Sequence, residues 1–155
     1  MGIEIERKFL VKNGDWAPLA IARQRIRQGY LSSGAEASVR VRIADGQAFL
    51  TIKSAAVGLS RQEYEYSIPM ADAEALLKVC TGSLISKVRH TVPAGGLSWS
   101  LDIFEGENAG LEIAEVEIDR EDAPIELPSW VGAEVTGDRR YYNADLCVSP
   151  YSTWK

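Results

Sequence analysis

Glu4-Ile5-Glu6-Arg7-Lys8 sets two carboxylates and an ammonium on alternate residues. On a β-strand successive side chains point to opposite faces. Glu4, Glu6 and Lys8 would then share one face, and Ile3, Ile5 and Phe9 the other, with Arg7 as the exception. The pattern recurs along the chain. Arg40 and Arg42 oppose Val39, Val41 and Ile43. Thr51 and Lys53 oppose Leu50 and Ile52. Arg61, Glu63 and Glu65 oppose Tyr64, Tyr66 and Ile68. Lys87 and Arg89 oppose Val88, His90 and Val92. Asp102 stands against Trp99, Leu101 and Ile103, and Glu115 and Glu117 against Ala114, Val116 and Ile118. Arginine forks and lysine point charges suit phosphate oxygens. Paired carboxylates suit a hard divalent cation, and Mg²⁺ commonly combines one or two of them with substrate phosphates. Both sets in one cavity fit a metal–polyphosphate complex better than a bare metal or a bare polyanion.

The elements that would carry these residues are short strands between turn clusters such as Asn13-Gly14-Asp15, Asp45-Gly46, Gly95-Gly96 and Gly106 to Gly110. Strands are expected over about 2–11, 24–31, 37–44, 47–54, 61–68, 85–92, 97–104 and 111–119. Hairpin-length connections make this an eight-stranded antiparallel barrel, mainly β. Helices are expected over 71–80 and 15–22, and more weakly over 121–126 and around 141–146.

A half-buried strand always has a polar face, so one charged face means little. Solvent faces mix Ser, Thr, Gln and Lys, however, and here the polar positions are nearly all ionic and paired at i and i+2. The carboxylates Glu4, Glu6, Glu63, Glu65, Asp102, Glu115 and Glu117 equal in number the cations Lys8, Arg40, Arg42, Lys53, Arg61, Lys87 and Arg89. Burying them dry would cost several kcal/mol per ion. A wet tunnel with the ions inside and the hydrophobic core outside avoids most of that. The opposite arrangement, a lipocalin-like barrel with Ile5, Val41 and Ile52 inside, is the competing fold.

Composition narrows the function classes. With 155 residues, 46% hydrophobic and 25% charged, the chain is ordinary for one globular domain over 1–155. A net charge of −5 argues against a dedicated nucleic-acid binder. Cys80 and Cys147 are too few for a disulfide framework, and His90 as the sole histidine argues against a His-ligated zinc site or a Ser-His-Asp triad. The N-terminus lacks a secretory apolar region, and no apolar run is long enough to span a membrane, so a cytoplasmic protein is expected. The outer apolar faces exceed what a few short helices cover, which is compatible with a homodimer.

The charged segments, in order, resemble the CYTH superfamily, the triphosphate tunnel metalloenzymes. Glu4-Ile5-Glu6-Arg7-Lys8 fits the ExExK signature. Arg40-Val41-Arg42, Thr51-Ile52-Lys53, Arg61 to Glu65, Lys87-Val88-Arg89, Asp102 and Glu115-Val116-Glu117 follow, and Thr136 to Asn143 looks like the closing motif. Arg27-Gln28-Gly29-Tyr30-Leu31 is similar to the segment of the short bacterial members, which resemble inorganic triphosphatases.

The resemblance implies an eight-stranded tunnel, Mg²⁺ or Mn²⁺ as cofactor, and hydrolysis of a small-molecule triphosphate, foremost inorganic tripolyphosphate to pyrophosphate and phosphate. Lys8, Arg40, Arg42, Lys53, Arg61 and Arg89 would bind substrate. Glu4, Glu6, Glu63, Glu65, Asp102, Glu115 and Glu117 would hold metal, some through water. Lys87 and Tyr30 would form the catalytic pair, with Lys87 depressed in pKa by surrounding cations so that it accepts a proton. Thiamine or nucleoside triphosphate hydrolysis and class IV-type adenylyl cyclisation are alternatives on the same fold. A non-catalytic polyphosphate- or nucleotide-binding module is one of another class. Trp99 is expected on the apolar outer face, away from any ligand.

Overall fold

The computed structural model describes residues 2–154. Nine strands form one antiparallel sheet that closes on itself. They are β1 (Gly2–Val11), β2 (Ala22–Ser33), β3 (Ala37–Ala44), β4 (Gln47–Ser54), β5 (Ser60–Ser67), β6 (Thr81–Ala94), β7 (Leu97–Phe104), β8 (Glu112–Glu117) and β9 (Val131–Glu134). The order around the barrel is β5-β4-β3-β2-β6-β7-β8-β1, closed by pairing of β1 with β5, and β9 adds to the end of β1. β1 closes the ring by dividing its length: residues 2–5 pair with β5 and residues 6–10 with β8.

Turn chemistry fixes the register that aligns the charges. The two-residue loops Asp45-Gly46 and Gly95-Gly96 both carry positive φ at both positions, 49° and 74° in the first and 60° and 77° in the second. This is the type I′ geometry that matches strand twist. It sets Arg40 opposite Thr51 in β3–β4 and Arg89 opposite Asp102 in β6–β7. A slip of one residue would turn every ion to the outside.

The core lies outside the barrel, as the inverted pattern requires. Phe9, Val92, Trp99, Leu101, Ala114 and Val116 are buried beneath the segment that follows β8 and contributes Ile118 and Trp130. Val41 and Ala48 pack under α1 (Met70–Leu77) through Ala73 and Leu77. A third cluster joins Ile85, Phe104 and Ile113 to Leu146 and Cys147 at the end of α2 (Asn143–Leu146). Of the lipocalin-like alternative's three interior residues, Val41 is buried beneath α1 and Ile5 packs against the outer cluster. Ile52 faces away from Lys53 on the same strand.

Local chemistry accounts for the departures. The helix expected over 121–126 does not form, because Pro124 removes a donor and biases Ala123 to extended backbone. Ala123 and Ile125 pack on the outer cluster instead. The helix expected over 15–22 is one 3₁₀ turn, Ala17–Leu19, with β2 starting at Ala22. Around 141–146, a 3₁₀ turn at Arg139–Tyr141 runs into α2. Arg7, the exception on its face, reaches out to β9 and forms a forked pair with Glu134 at 2.7 and 2.9 Å. Among the described residues, no helix is long and apolar enough to cross a membrane.

Candidate active site

A cavity of about 860 Å³ runs inside the barrel. Every residue assigned to substrate, metal or catalysis lines it except Asp102, which is 1% exposed and lies behind the wall. The inward faces of six strands supply the charges: Glu4, Glu6 and Lys8 from β1, Arg40 and Arg42 from β3, Lys53 from β4, Arg61, Glu63 and Glu65 from β5, Lys87 and Arg89 from β6, and Glu115 and Glu117 from β8. Tyr30 joins them from β2. One end is edged by the small residues Ser33, Gly34, Ala35, Ala37, Ser54, Ala55 and Ala56.

The ions pair across strands. Lys53 Nζ lies 3.0 Å from Glu4 and 3.4 Å from Glu63, and Arg61 is 3.6 Å from Glu4. Lys8 is 3.2 Å from Glu115, its cross-strand neighbour. Arg40 is 3.5 Å from Glu65, and Thr51 Oγ1 bridges them, accepting from Arg40 at 3.2 Å and donating to Glu65 at 2.8 Å.

Glu6 and Glu117 have no ion pair among the described residues, although they face each other directly across β1 and β8. Like charges so placed repel. Burial, then Glu115 and Glu4, raise Glu6 to about 7. Burial, Glu4 and Glu63 raise Glu117 as well. Glu115 behaves oppositely: Lys8, Arg89 and Lys87 outweigh its burial and hold it well below the usual carboxylate range.

Crowded carboxylates without a counter-ion fit a hard divalent cation, which accepts oxygen ligands and flexible denticity. Among the described residues no three acidic groups are already gathered about one point. Glu6 and Glu117, with Glu4 and Glu63 near them, are the residues whose chemistry fits.

This crowding has a measurable consequence. A rise from 4.5 to about 7 corresponds to about 3 kcal/mol against the ionised form. The folded pKa exceeds the unfolded one, so the folded state holds the extra proton between pH 4.5 and 7, and stability falls as pH rises through that window. In metal-free buffer, Glu6→Gln is expected to match wild type near pH 4.5 and to exceed it in urea unfolding by up to about 3 kcal/mol at pH 8. Equal stability at both pH values would contradict the crowding.

The cations at the other wall lie deeper. Arg89 holds both oxygens of Asp102, at 2.8 and 2.9 Å, and Lys87 Nζ reaches the second oxygen at 2.8 Å. Against its own burial, Lys87 and Arg89 keep Asp102 at about 2. The expectation of Asp102 as a metal-side residue thus meets a carboxylate committed to two cations. Lys87 is fully buried and is lowered to about 7, first by burial and then by Arg89 and Arg42, against the pull of Asp102. The direction is the one expected from the cations, but burial is the larger cause. Burial, Arg40 and Arg89 likewise pull Arg42 down to about 9, which leaves it charged and short of anionic neighbours.

The uncharged members of the site carry no signal in a pattern of ions. Gln28 is completely buried. Its Oε1 accepts from Arg42 Nε at 2.7 Å, and its Nε2 donates to Asn143 Oδ1 at 3.3 Å. Asn143 Oδ1 also accepts from Lys87 Nζ at 2.9 Å. Tyr142 stands with its ring 5.3 Å from Lys8 Nζ, and Arg139 also lines the cavity. None of the four tryptophans does: Trp99 and Trp130 pack edge to face in the outer core, Trp16 lies on His90, and Trp154 lies against Tyr141.

A closed antiparallel barrel with a core wrapped around it and a bore of interleaved cations and carboxylates defines a polyanion-binding tunnel. The chain belongs to the CYTH family: the CYTH domain model matches residues 2–142. It is 43% identical over 156 residues to the inorganic triphosphatase of Acetivibrio thermocellus, covering 100% of this chain and 99% of that one. It is 40% identical over 151 residues to the inorganic triphosphatase of Nitrosomonas europaea, covering 94% and 97%. The crystal structure of an inorganic triphosphatase is similar to the fold at a TM-score of 0.66, with 35% identity and 94% of each chain covered. The family implies a divalent metal.

Proposed function

We propose that this protein hydrolyses inorganic tripolyphosphate to pyrophosphate and phosphate with Mg²⁺, in the cytoplasm. The observation that carries the reading is the joint lining of one cavity by buried cations and by carboxylates that lack counter-ions. Two full-length relatives that are inorganic triphosphatases support it.

In this reading Lys8, Arg40, Arg42, Lys53 and Arg89 bind the phosphate oxygens, Arg89 while still holding Asp102, and Arg61 remains with Glu4. Glu6 and Glu117, helped by Glu4, Glu63 and Glu115, hold the cation. When bound, Mg²⁺ supplies positive charge against the phosphate oxygens. Phosphoryl transfer of this kind is mostly positioning and charge stabilisation. Lys87, near neutral in pKa, accepts the proton of the attacking water as the terminal P–O bridge breaks and pyrophosphate leaves. Tyr30, which lines the same cavity from β2, assists by orienting Lys87.

The cavity offers a base or thiazole ring no tryptophan to stack on, and the small residues at its edge make no specific contact. Base stacking is worth about 1–3 kcal/mol. A panel with Mg²⁺ is therefore expected to give a higher kcat/KM for tripolyphosphate than for ATP or thiamine triphosphate, with orthophosphate and pyrophosphate as products. Preferential turnover of ATP, or cyclic AMP among the products, would favour another enzyme of this fold.

A further inference from the structure

One continuous hydrogen-bonded chain, Arg42–Gln28–Asn143–Lys87–Asp102, runs through the cavity wall, which Arg42, Asn143 and Lys87 line. It starts on β3, crosses β2, passes through the first residue of α2 and returns through β6 to β7. Its polarity is determined. Arg42 only donates, so Gln28 must turn its carbonyl oxygen to Arg42 and its NH₂ to Asn143. Lys87 also donates, so Asn143 must turn Oδ1 towards both Lys87 and Gln28. Reversing either amide would set donor against donor.

The consequence falls on Lys87. Its Nζ has three positions beyond the bond to Cε. Asp102 Oδ2 occupies one at 2.8 Å and Asn143 Oδ1 another at 2.9 Å. Both partners are acceptors, so each needs an N–H. Lys87 is among the residues that line the cavity, although its side chain is fully buried and the Phe104 ring lies 5.3 Å from Nζ, so the remaining position is the one left for a group held in the cavity.

From this geometry we infer that Asn143, locked by Gln28, is a positioning residue that aims the third position of Lys87 Nζ at the reacting phosphate. With Asp102 alone the head group would turn about one contact, and with two acceptors it does not. α2, which lines the cavity through Asn143, thereby acts on the reacting group through Lys87. The inference rests on the role proposed for Lys87 but concerns a geometry that can be measured without substrate.

The test has two arms on the full-length protein, using Asn143→Leu, which keeps the volume and removes the acceptor, and Asn143→Asp, which restores it. The first arm is the ¹⁵Nζ–H signal of Lys87 in the substrate-free protein, assigned by its loss in Lys87→Ala. It is expected to be protected from solvent exchange in wild type, lost in Asn143→Leu and retained in Asn143→Asp. The second arm is tripolyphosphate kinetics with Mg²⁺. Asn143→Leu is expected to lower kcat on the order of 10²-fold, the scale of an ångström-level misplacement, with KM little changed, and Asn143→Asp is expected to recover most of it. In a Lys87→Ala background Asn143→Leu should cost nothing more, because the residue acts through Lys87.

An unchanged Lys87 signal in Asn143→Leu overturns the inference. So does a loss confined to KM, or a full loss that persists without Lys87. If Asn143→Leu does not fold, Asn143→Ala at this half-exposed position serves both arms. If the signals behave as expected while wild type leaves tripolyphosphate intact, the positioning stands and the proposed activity fails.

Discussion

Replacing Lys87 by methionine is expected to lower kcat for tripolyphosphate by about 10²–10⁴-fold, the range that general acid–base catalysis contributes. Methionine keeps the buried volume and removes Nζ. Asp102 is not stranded by the change, because Arg89 still holds both of its oxygens. The fold should therefore survive, which a thermal melt would confirm. The pH dependence distinguishes a base from a phosphate contact. Lys87 is charged below about 7, so a base is active only above it, and wild-type kcat/KM should rise with pH through the neutral range. The residual activity of Lys87→Met should lack that limb. A role limited to holding phosphate would raise KM and leave the profile in place.

The second large effect concerns the carboxylates. A chelator is expected to reduce turnover to background and Mg²⁺ to restore it. Glu6→Gln with Glu117→Gln should raise the Mg²⁺ needed for half-maximal rate by at least the roughly 10–100-fold that loss of even an outer-shell partner costs. These residues are chosen because neither forms an ion pair among the described residues and both are raised in pKa, burial and neighbouring carboxylates outweighing Lys8 and Lys53. Removing Glu4 would also free Lys53 and Arg61 and confuse the outcome. The same double variant separates an enzyme from a binding module. A module whose task is to hold polyphosphate should bind more tightly once two repelling carboxylates are gone, and should do so without metal.

The ionic wall was legible in the sequence because strand periodicity is two and every second residue is charged. Once Arg40-Val41-Arg42 and Glu115-Val116-Glu117 are read as strands, only the choice of inside or outside remains, and the balance of charges decides it. The paired glycines and Asp45-Gly46 give the turns, and the turns give the register. β9 escaped because four residues, Val131–Glu134, show no alternation and pair only at the end of β1.

Asp102 illustrates a different limit. A carboxylate on the inward face reads the same whether it ligates a metal or pairs with cations. What decides is its position opposite Arg89 and beside Lys87, a matter of register between two strands. Gln28 and Asn143 lie in segments that the resemblance marks, but being neutral they carry no ionic pattern that assigns them a role. The parity of Gln28 with Tyr30 on one strand was the available sign that it faces inward. Nothing local places Asn143 there, since its approach depends on how the segment after β9 folds back over the barrel. That return is fixed by Lys8, whose backbone N–H donates to Thr136 and whose carbonyl accepts from Val135, both at 2.8 Å.

The most direct test of the whole account is a crystal structure with tripolyphosphate and a divalent cation. The phosphates are expected inside the barrel against Arg40, Arg42 and Lys53, with the cation between them and the Glu6–Glu117 pair. Tripolyphosphate bound on the outer surface, with the bore holding only its own ion pairs, would contradict it.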